Sequence, residues 1–169
     1  GEGEMARRFR TLDWRSTSLG PIEGWPQSLR TAVDMMLAMP GPATILWGSA
    51  HVQLHNDAYI GIAQDRHPAL LGRPVAENWP DAYDDVIAPL LANAHAGRAT
   101  RLTDFPVPLR GPDGKIEERV FDTDWSPIRD ESGAVAGALQ TLTEVTDRHR
   151  AQASLREREE RQTFLLSLS

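Results

Sequence analysis

The sequence contains no cysteine and a single lysine, Lys115. The lack of cysteine excludes disulfides, thiolate metal sites, cysteine nucleophiles and any photochemistry that needs a cysteinyl adduct to a flavin. Acidic residues outnumber basic residues by 24 to 18, which gives a formal net charge of −6. With no cluster of basic side chains to neutralise phosphates, the composition argues against nucleic-acid binding.

Long apolar runs are also missing. No stretch approaches the roughly 18 residues of a membrane span, and the N-terminal residues Gly1 to Glu4 lack the features of a signal peptide. We therefore expect a cytoplasmic chain without a membrane span. The 169 residues suit one globular domain with helical appendages, and the apolar pattern at the C-terminus suggests a fragment of a longer chain.

An N-terminal helical extension is predicted over residues 1–41. A short helix is indicated from Met5 to Asp13, and an amphipathic helix follows Trp25 and ends before Pro40. The apolar residues of the second helix recur at helical spacing: Leu29, Ala32, Val33, Met36 and Leu37.

Five strands are predicted beyond the extension. Residues 43–55 suggest a hairpin with Val52 and Leu54 on one face of its second strand and Gln53 and His55 on the other. Short helical pieces follow up to Gly97, and three further strands are predicted at 99–107, 116–126 and 134–146. Because strands and helices do not alternate as βαβ units, we expect an α+β domain with a five-stranded antiparallel sheet over residues 42–147.

A mixed-charge helix is predicted to leave the domain over residues 148–169. Its charges are spaced three and four residues apart, as on a solvated helix. A coiled-coil seam through Leu155 and Leu165 is weak, since Arg158 and Gln162 fall within it.

Four local segments carry a resemblance to a known family: Leu54–Tyr59, Leu71–Pro74, Trp125–Gly137 and Glu144–Arg148. Together with the order of the elements, they make residues from about 43 to 150 similar to the PAS family of bacterial sensory domains. The resemblance implies short helices on one face of the sheet and a signal junction to an output helix at Glu144, Val145, Thr146, Asp147 and Arg148. Glu144 stands where the family usually has Asp, which leaves open whether the usual ion pair forms.

The flanking segments Gly20–Arg30 and Glu160–Ser169 resemble those of multidomain sensor histidine kinases, in which a PAS domain precedes a GAF or kinase module. The resemblance implies a sensory module of a two-component system, without enzymatic activity in this fragment. Two alternatives stay open. In the first, the sensory module controls a phosphatase or a cyclase in place of a kinase. In the second, the module is purely architectural: it mediates dimerisation and binds no ligand.

Aromatic residues are the main candidates for a ligand pocket, since the PAS-like fold implied by the resemblance encloses one between the sheet and the helices. Ordinary core packing is the competing interpretation, and the identity of a ligand cannot be read from the sequence. The candidates are Trp47, Asn56, Tyr59, Trp79, Phe121 and Trp125.

No metal site is predicted. His51 and His55 are about 13 Å apart if they lie in one strand, so they cannot share an ion. His95 lies well beyond the position of the histidine that haem-binding PAS proteins use, near Val86 here, which argues against haem. The carboxylates Asp81, Asp84 and Asp85 are interpreted as groups that cap and stabilise the first turn of the following helix.

A homodimer through the terminal helical segments is expected. The apolar face of the second N-terminal helix is broader than the surface that a small sheet would cover. The exit helix ends in Phe164, Leu165, Leu166 and Leu168, which would be exposed to solvent in a monomer.

Overall fold

The computed structural model describes residues 3–169, which divide into two compact units. The first comprises the chain up to Arg101 together with Thr123–Leu142, and the second comprises Leu102–Asp122 and Thr143–Ser169.

The helical extension has two helices, α1 (Glu4–Thr11) and α2 (Gln27–Ala38), joined through short 3₁₀ turns. Both sequence predictions are confirmed within a few residues. Leu29, Val33 and Met36 of α2 are buried.

The described residues form one sheet of five strands in the order β2-β1-β5-β4-β3. This confirms the predicted α+β class and the PAS-like arrangement. The strands are β1 (Ala43–Trp47), β2 (Val52–His55), β3 (Thr100–Arg110), β4 (Ile116–Arg129) and β5 (Val135–Glu144).

Strands β3 and β4 each end three residues later than predicted. Pro106 and Pro108 weaken the sequence signal of β3, but proline is tolerated on an edge strand, and β3 lies at the edge of the sheet. Strand β5 ends at Glu144, two residues before its predicted end at Thr146, because Thr146 is already the first residue of helix α7 (Thr146–Ser167).

The segment between β2 and β3 contains short helices. They are α3 (Ile60–Ala63), α4 (Val75–Asn78), α5 (Pro80–Ala82) and α6 (Ala88–His95), with a π-helical turn at Tyr83–Ile87 immediately before α6. Only the capping part of the prediction for Asp81, Asp84 and Asp85 is wrong, since other residues occupy the N-cap positions of α5, the π turn and α6 and make no side-chain cap bond. The carboxylates lie within the first turns instead, where they face the positive end of the helix dipole.

Both faces of the β1–β2 hairpin are buried. Ile45 pairs with Leu54 and Trp47 with Val52, and these four side chains pack in one cluster with α1 and α2. Thr44, Leu46, Gln53 and His55 alternate with them and therefore face the other way. The extension thus covers one face of this part of the sheet.

The burial of Leu29, Val33 and Met36 corrects one part of the dimer argument. These side chains contact the β1–β2 hairpin of the same chain, so the apolar stripe of α2 is used internally. Met35 is the large hydrophobic side chain of this helix that remains 60% exposed.

Helix α7 belongs to the second unit, and its side chains from Arg150 onward are exposed. Its exposed large hydrophobic residues are Leu155, Phe164, Leu165 and Leu166, and Leu168 follows at its C-cap. Within residues 3–169, no helix combines the length and the apolar character that crossing a bilayer requires.

Candidate functional site

A buried glutamine, Gln53 on β2, organises a polar network in the first unit. Its Nε2 donates to Thr44 Oγ1 at 3.1 Å and to Tyr59 Oη at 3.3 Å. Its Oε1 accepts from Asn78 Nδ2 at 3.0 Å and from Trp79 Nε1 at 3.1 Å. All four hydrogen-bonding positions of the amide are therefore occupied, which fixes the orientation of the side chain.

Two groups of this network retain capacity for a further partner. Asn78 Oδ1 is buried and accepts no hydrogen bond in the described structure. The Tyr59 hydroxyl accepts from Gln53, and burial raises the pKa of this phenol, so it stays neutral and keeps its proton as a donor. A donor and an acceptor are thus available in an environment where an unpaired polar group is costly.

Trp79 is half-buried and forms the outer side of the network. The guanidinium of Arg66 lies 4.3 Å from the centroid of its indole ring, a cation–π contact. Arg66 is exposed and its Nε donates to the carbonyl of Asn78 at 3.1 Å. Trp79 therefore contacts both the exposed Arg66 and the buried Gln53.

Asn56, the polar candidate from the sequence, has a structural role. Its side chain is buried and every hydrogen-bonding position is used, so it has no group left to orient a ligand. Its Oδ1 accepts from the backbone N–H groups of Ala43 and Tyr59, and its Nδ2 donates to the carbonyls of Met36, Met39 and Gly41.

The structure brings together only some of the predicted aromatic residues. Tyr59 and Trp79 meet at Gln53. Trp47 faces the extension, where it lines a cavity of about 240 Å³ with Trp25 and Leu29. Trp125 is buried in the first unit with its indole N–H unpaired, and Phe121 is buried in the second unit.

Sequence reasoning missed Gln53, Thr44 and Asn78. The alternation of β2 already placed Gln53 opposite Val52 and Leu54, but such a pattern is read as a solvent-facing position. Two of the residues that cover this second face, Asn78 and Trp79, lie 25 and 26 positions along the chain from Gln53, and they help to make the polar face an interior one.

A second group of polar side chains surrounds the start of α1. Asp57 Oδ1 accepts the backbone N–H of Met5 at 2.7 Å, and His67 Nε2 lies 2.9 Å from Glu4 Oε2. His55 lies beside them, with its ring centroid 5.5 Å from that of His67. Burial lowers the pKa of His55 to about 4, so this imidazole is neutral at physiological pH.

The predicted signal junction lies in the second unit. The Thr146 hydroxyl, in a side chain 2% exposed, accepts the Val120 N–H at 2.9 Å, and the Val145 N–H donates to the Val120 carbonyl at 2.7 Å. Val145 and Thr146 are therefore tied to β4 at the point where α7 begins.

Charged residues add to this attachment. Arg119 Nε donates to Glu144 Oε2 at 2.8 Å, so glutamate at this position does form an ion pair. Arg148 Nη2 donates to Asp122 Oδ2 at 3.1 Å. Asp147 is exposed in the first turn of α7.

Comparison with solved structures shows the same fold. Phage VqmA in complex with DPO is 19% identical, with a TM-score of 0.54, over 76% of this chain and 58% of VqmA. The PAS domain of BvgS from Bordetella pertussis is 18% identical, with a TM-score of 0.51, over 79% of this chain and 99% of that domain. A LOV protein of Rhodobacter sphaeroides is 12% identical, with a TM-score of 0.51, over 70% of this chain and 67% of that protein. The chain thus spans just over half of phage VqmA.

No curated protein sequence matches the chain. The profile of the PAS fold matches residues 38–150, which is more than half of the chain and includes all five strands and the junction. By this match and by its strand order, the chain belongs to the PAS fold family.

Proposed function

We propose that this chain is the sensory module of a bacterial sensor histidine kinase, in which the state of the site around Gln53 controls the attachment of α7 at Glu144–Arg148. The observation that carries the proposal is the buried Thr146 hydroxyl on the Val120 N–H, which makes the start of the output helix part of the folded domain.

The site around Gln53 suits a small polar ligand. The unpaired Asn78 Oδ1 offers an acceptor and the Tyr59 hydroxyl offers a donor, while Trp79 provides an aromatic surface. A ligand with one donor and one acceptor next to a planar group matches these three side chains. The complex of phage VqmA with DPO supports the idea that this fold accommodates a ligand.

Signalling would work as a population shift. A ligand that prefers one arrangement of the Gln53 network stabilises that arrangement by its difference in affinity for the two. Strand β5 continues from the first unit into the second and ends at Glu144, directly before Val145 and Thr146. A change in the packing of β5 would therefore alter the start of α7 and the enzyme module beyond it.

We further propose that the module acts in the cytoplasm as a homodimer. Leu155 and the cluster Phe164–Leu168 of the exit helix are exposed in one chain, and a second copy of α7 would cover them. The burial of the α2 stripe makes α7 the main contributor to this contact. A parallel arrangement would pass a rotation of α7 to a dimeric kinase.

Native mass spectrometry of the full chain purified from cells, together with its absorption spectrum, tests the ligand and the dimer. We expect a mass of two chains plus a small molecule that is lost in a Tyr59→Phe/Asn78→Leu variant. A dimer without any bound molecule, and without stabilisation by added cell metabolites, would favour the architectural alternative. Autophosphorylation by the purified chain would contradict a purely sensory role.

A further inference from the structure

Two histidines distant in sequence meet at the surface of the first unit. His51 Nε2 lies 3.1 Å from His95 Nε2, although the residues are 44 positions apart. The ring centroids are 5.2 Å apart with an interplanar angle of 54°, so the rings approach through these nitrogens and do not stack.

The backbone holds both residues in place. His51 lies in the β1–β2 turn with a φ of 49°; its N–H donates to the Gly48 carbonyl at 3.1 Å and its carbonyl accepts the Val75 N–H at 2.9 Å. His95 is the last residue of α6, next to the fully buried Ala94. The two imidazoles are therefore presented by anchored segments.

We propose that His51 and His95 form a two-histidine binding site for a divalent late first-row transition ion such as Zn²⁺, Ni²⁺ or Cu²⁺. Two imidazoles bound to one tetrahedral ion at about 2.0–2.1 Å have their ligand nitrogens about 3.3 Å apart. The observed 3.1 Å is close to this separation, so the ion requires only a small movement of the rings. Imidazole is a preferred ligand of these ions.

The remaining coordination positions would be taken by water or by a ligand from outside the chain. His95 is exposed and His51 is partly exposed, so the pair lies at the surface of the first unit. Within residues 3–169, no group of three or more potential metal ligands is present, so the site has two protein ligands. A bound ion would connect the β1–β2 turn to the end of α6, and this does not depend on the sensory role proposed above.

Isothermal titration of the untagged full chain with ZnCl₂, NiCl₂ and CuCl₂ in a non-coordinating buffer tests the site. We expect one ion per chain and a loss of affinity of about tenfold or more in each single variant, His51→Asn and His95→Ala. Asparagine tolerates the positive φ of His51, and His95 is exposed at a helix end, so both variants are expected to fold. Circular dichroism checks this.

The matched control is His149→Ala, because His149 lies near a carboxylate, 3.7 Å from Asp104 Oδ1, in the second unit. The His149→Ala variant should bind the ion as tightly as the wild type. Only chains that keep both His51 and His95 should gain thermal stability from the ion. No saturable binding, undiminished affinity in either site variant, or loss of binding in the His149 variant would overturn the proposal.

Discussion

At the scale of single residues, the structure depends on polar side chains whose hydrogen bonds are complete. Gln53 and Asn56 are both nearly inaccessible, and each uses its whole amide. Asn56 joins the end of α2, β1 and the start of the helical segment, whereas Gln53 joins β1, β2 and the short helices. One amide therefore supports the framework and the other supports the candidate site.

Replacement of Gln53 by leucine should lower the free energy of unfolding by about 2 kcal/mol, because the Trp79 N–H and the Tyr59 hydroxyl lose their partner inside the protein. Urea denaturation measures this. The matched control is Gln27→Leu, an exposed position on α2, with an expected change within about 0.5 kcal/mol. Equal stabilities of the two variants would show that the network contributes nothing.

Gly137 is required by close packing between β5 and β1. A Cβ at this position would lie 2.6 Å from the Leu46 carbonyl oxygen and 2.9 Å from the Trp47 ring. Gly137→Ala should therefore destabilise the chain by about 2 kcal/mol, since the backbone of a central strand cannot move away. Gly24→Ala, with no atom within 4 Å of the added Cβ, should leave the midpoint of thermal unfolding almost unchanged.

At the scale of elements, the exit helix α7 is attached to the domain through its first turn. Most of α7 is exposed, and its buried contact is Thr146 on β4. The attachment of a 22-residue helix thus depends on a few hydrogen bonds, which is what the proposed signalling role requires of this element.

Thr146→Val should accelerate amide hydrogen exchange at Val120 by about tenfold, because the N–H loses its hydroxyl acceptor. Thr146→Ser retains the oxygen and should exchange at close to the wild-type rate. NMR-detected exchange resolves this amide. Unchanged protection in the valine variant would mean that the hydroxyl does not hold the junction.

The elements were largely predictable from the sequence, and their environment was not. Helical spacing identified α2, and alternation separated the two faces of β2. Gln53 is covered in part by Asn78 and Trp79, which lie 25 and 26 positions further along the chain, so no local pattern shows its burial. The contact of Glu144 with Arg119 likewise joins positions 25 residues apart, and charge patterns along one segment do not reveal such pairs.

At the scale of the whole molecule, stability depends on a buried titratable group, His55, which lies on the face of the β1–β2 hairpin opposite the core shared with the extension. His55 has a folded-state pKa of about 4, below its usual value of 6.5. Between these two pH values the unfolded chain binds more protons than the folded chain, so stability is present above pH 6.5 and is lost as the pH falls toward 4.

The free energy of unfolding should therefore fall by about 3 kcal/mol on account of His55 between pH 6.5 and pH 4. His55→Gln removes the titrating group, so the stability of the variant should depend less on pH in this window. Denaturant titrations at half-unit pH intervals provide the comparison. A slope equal to that of the wild type would show that His55 is not the group being protonated.

The proposed function requires that the Gln53 site controls the junction at α7. Backbone ¹⁵N–¹H chemical shifts of Val145 and Thr146 test it in the folded state, independently of overall stability. In Gln53→Leu these signals should move from their wild-type positions, and in Gln27→Leu they should stay in place. If the signals around Tyr59 and Trp79 move in Gln53→Leu while those of Val145 and Thr146 coincide with the wild type, the site and the output helix are not coupled.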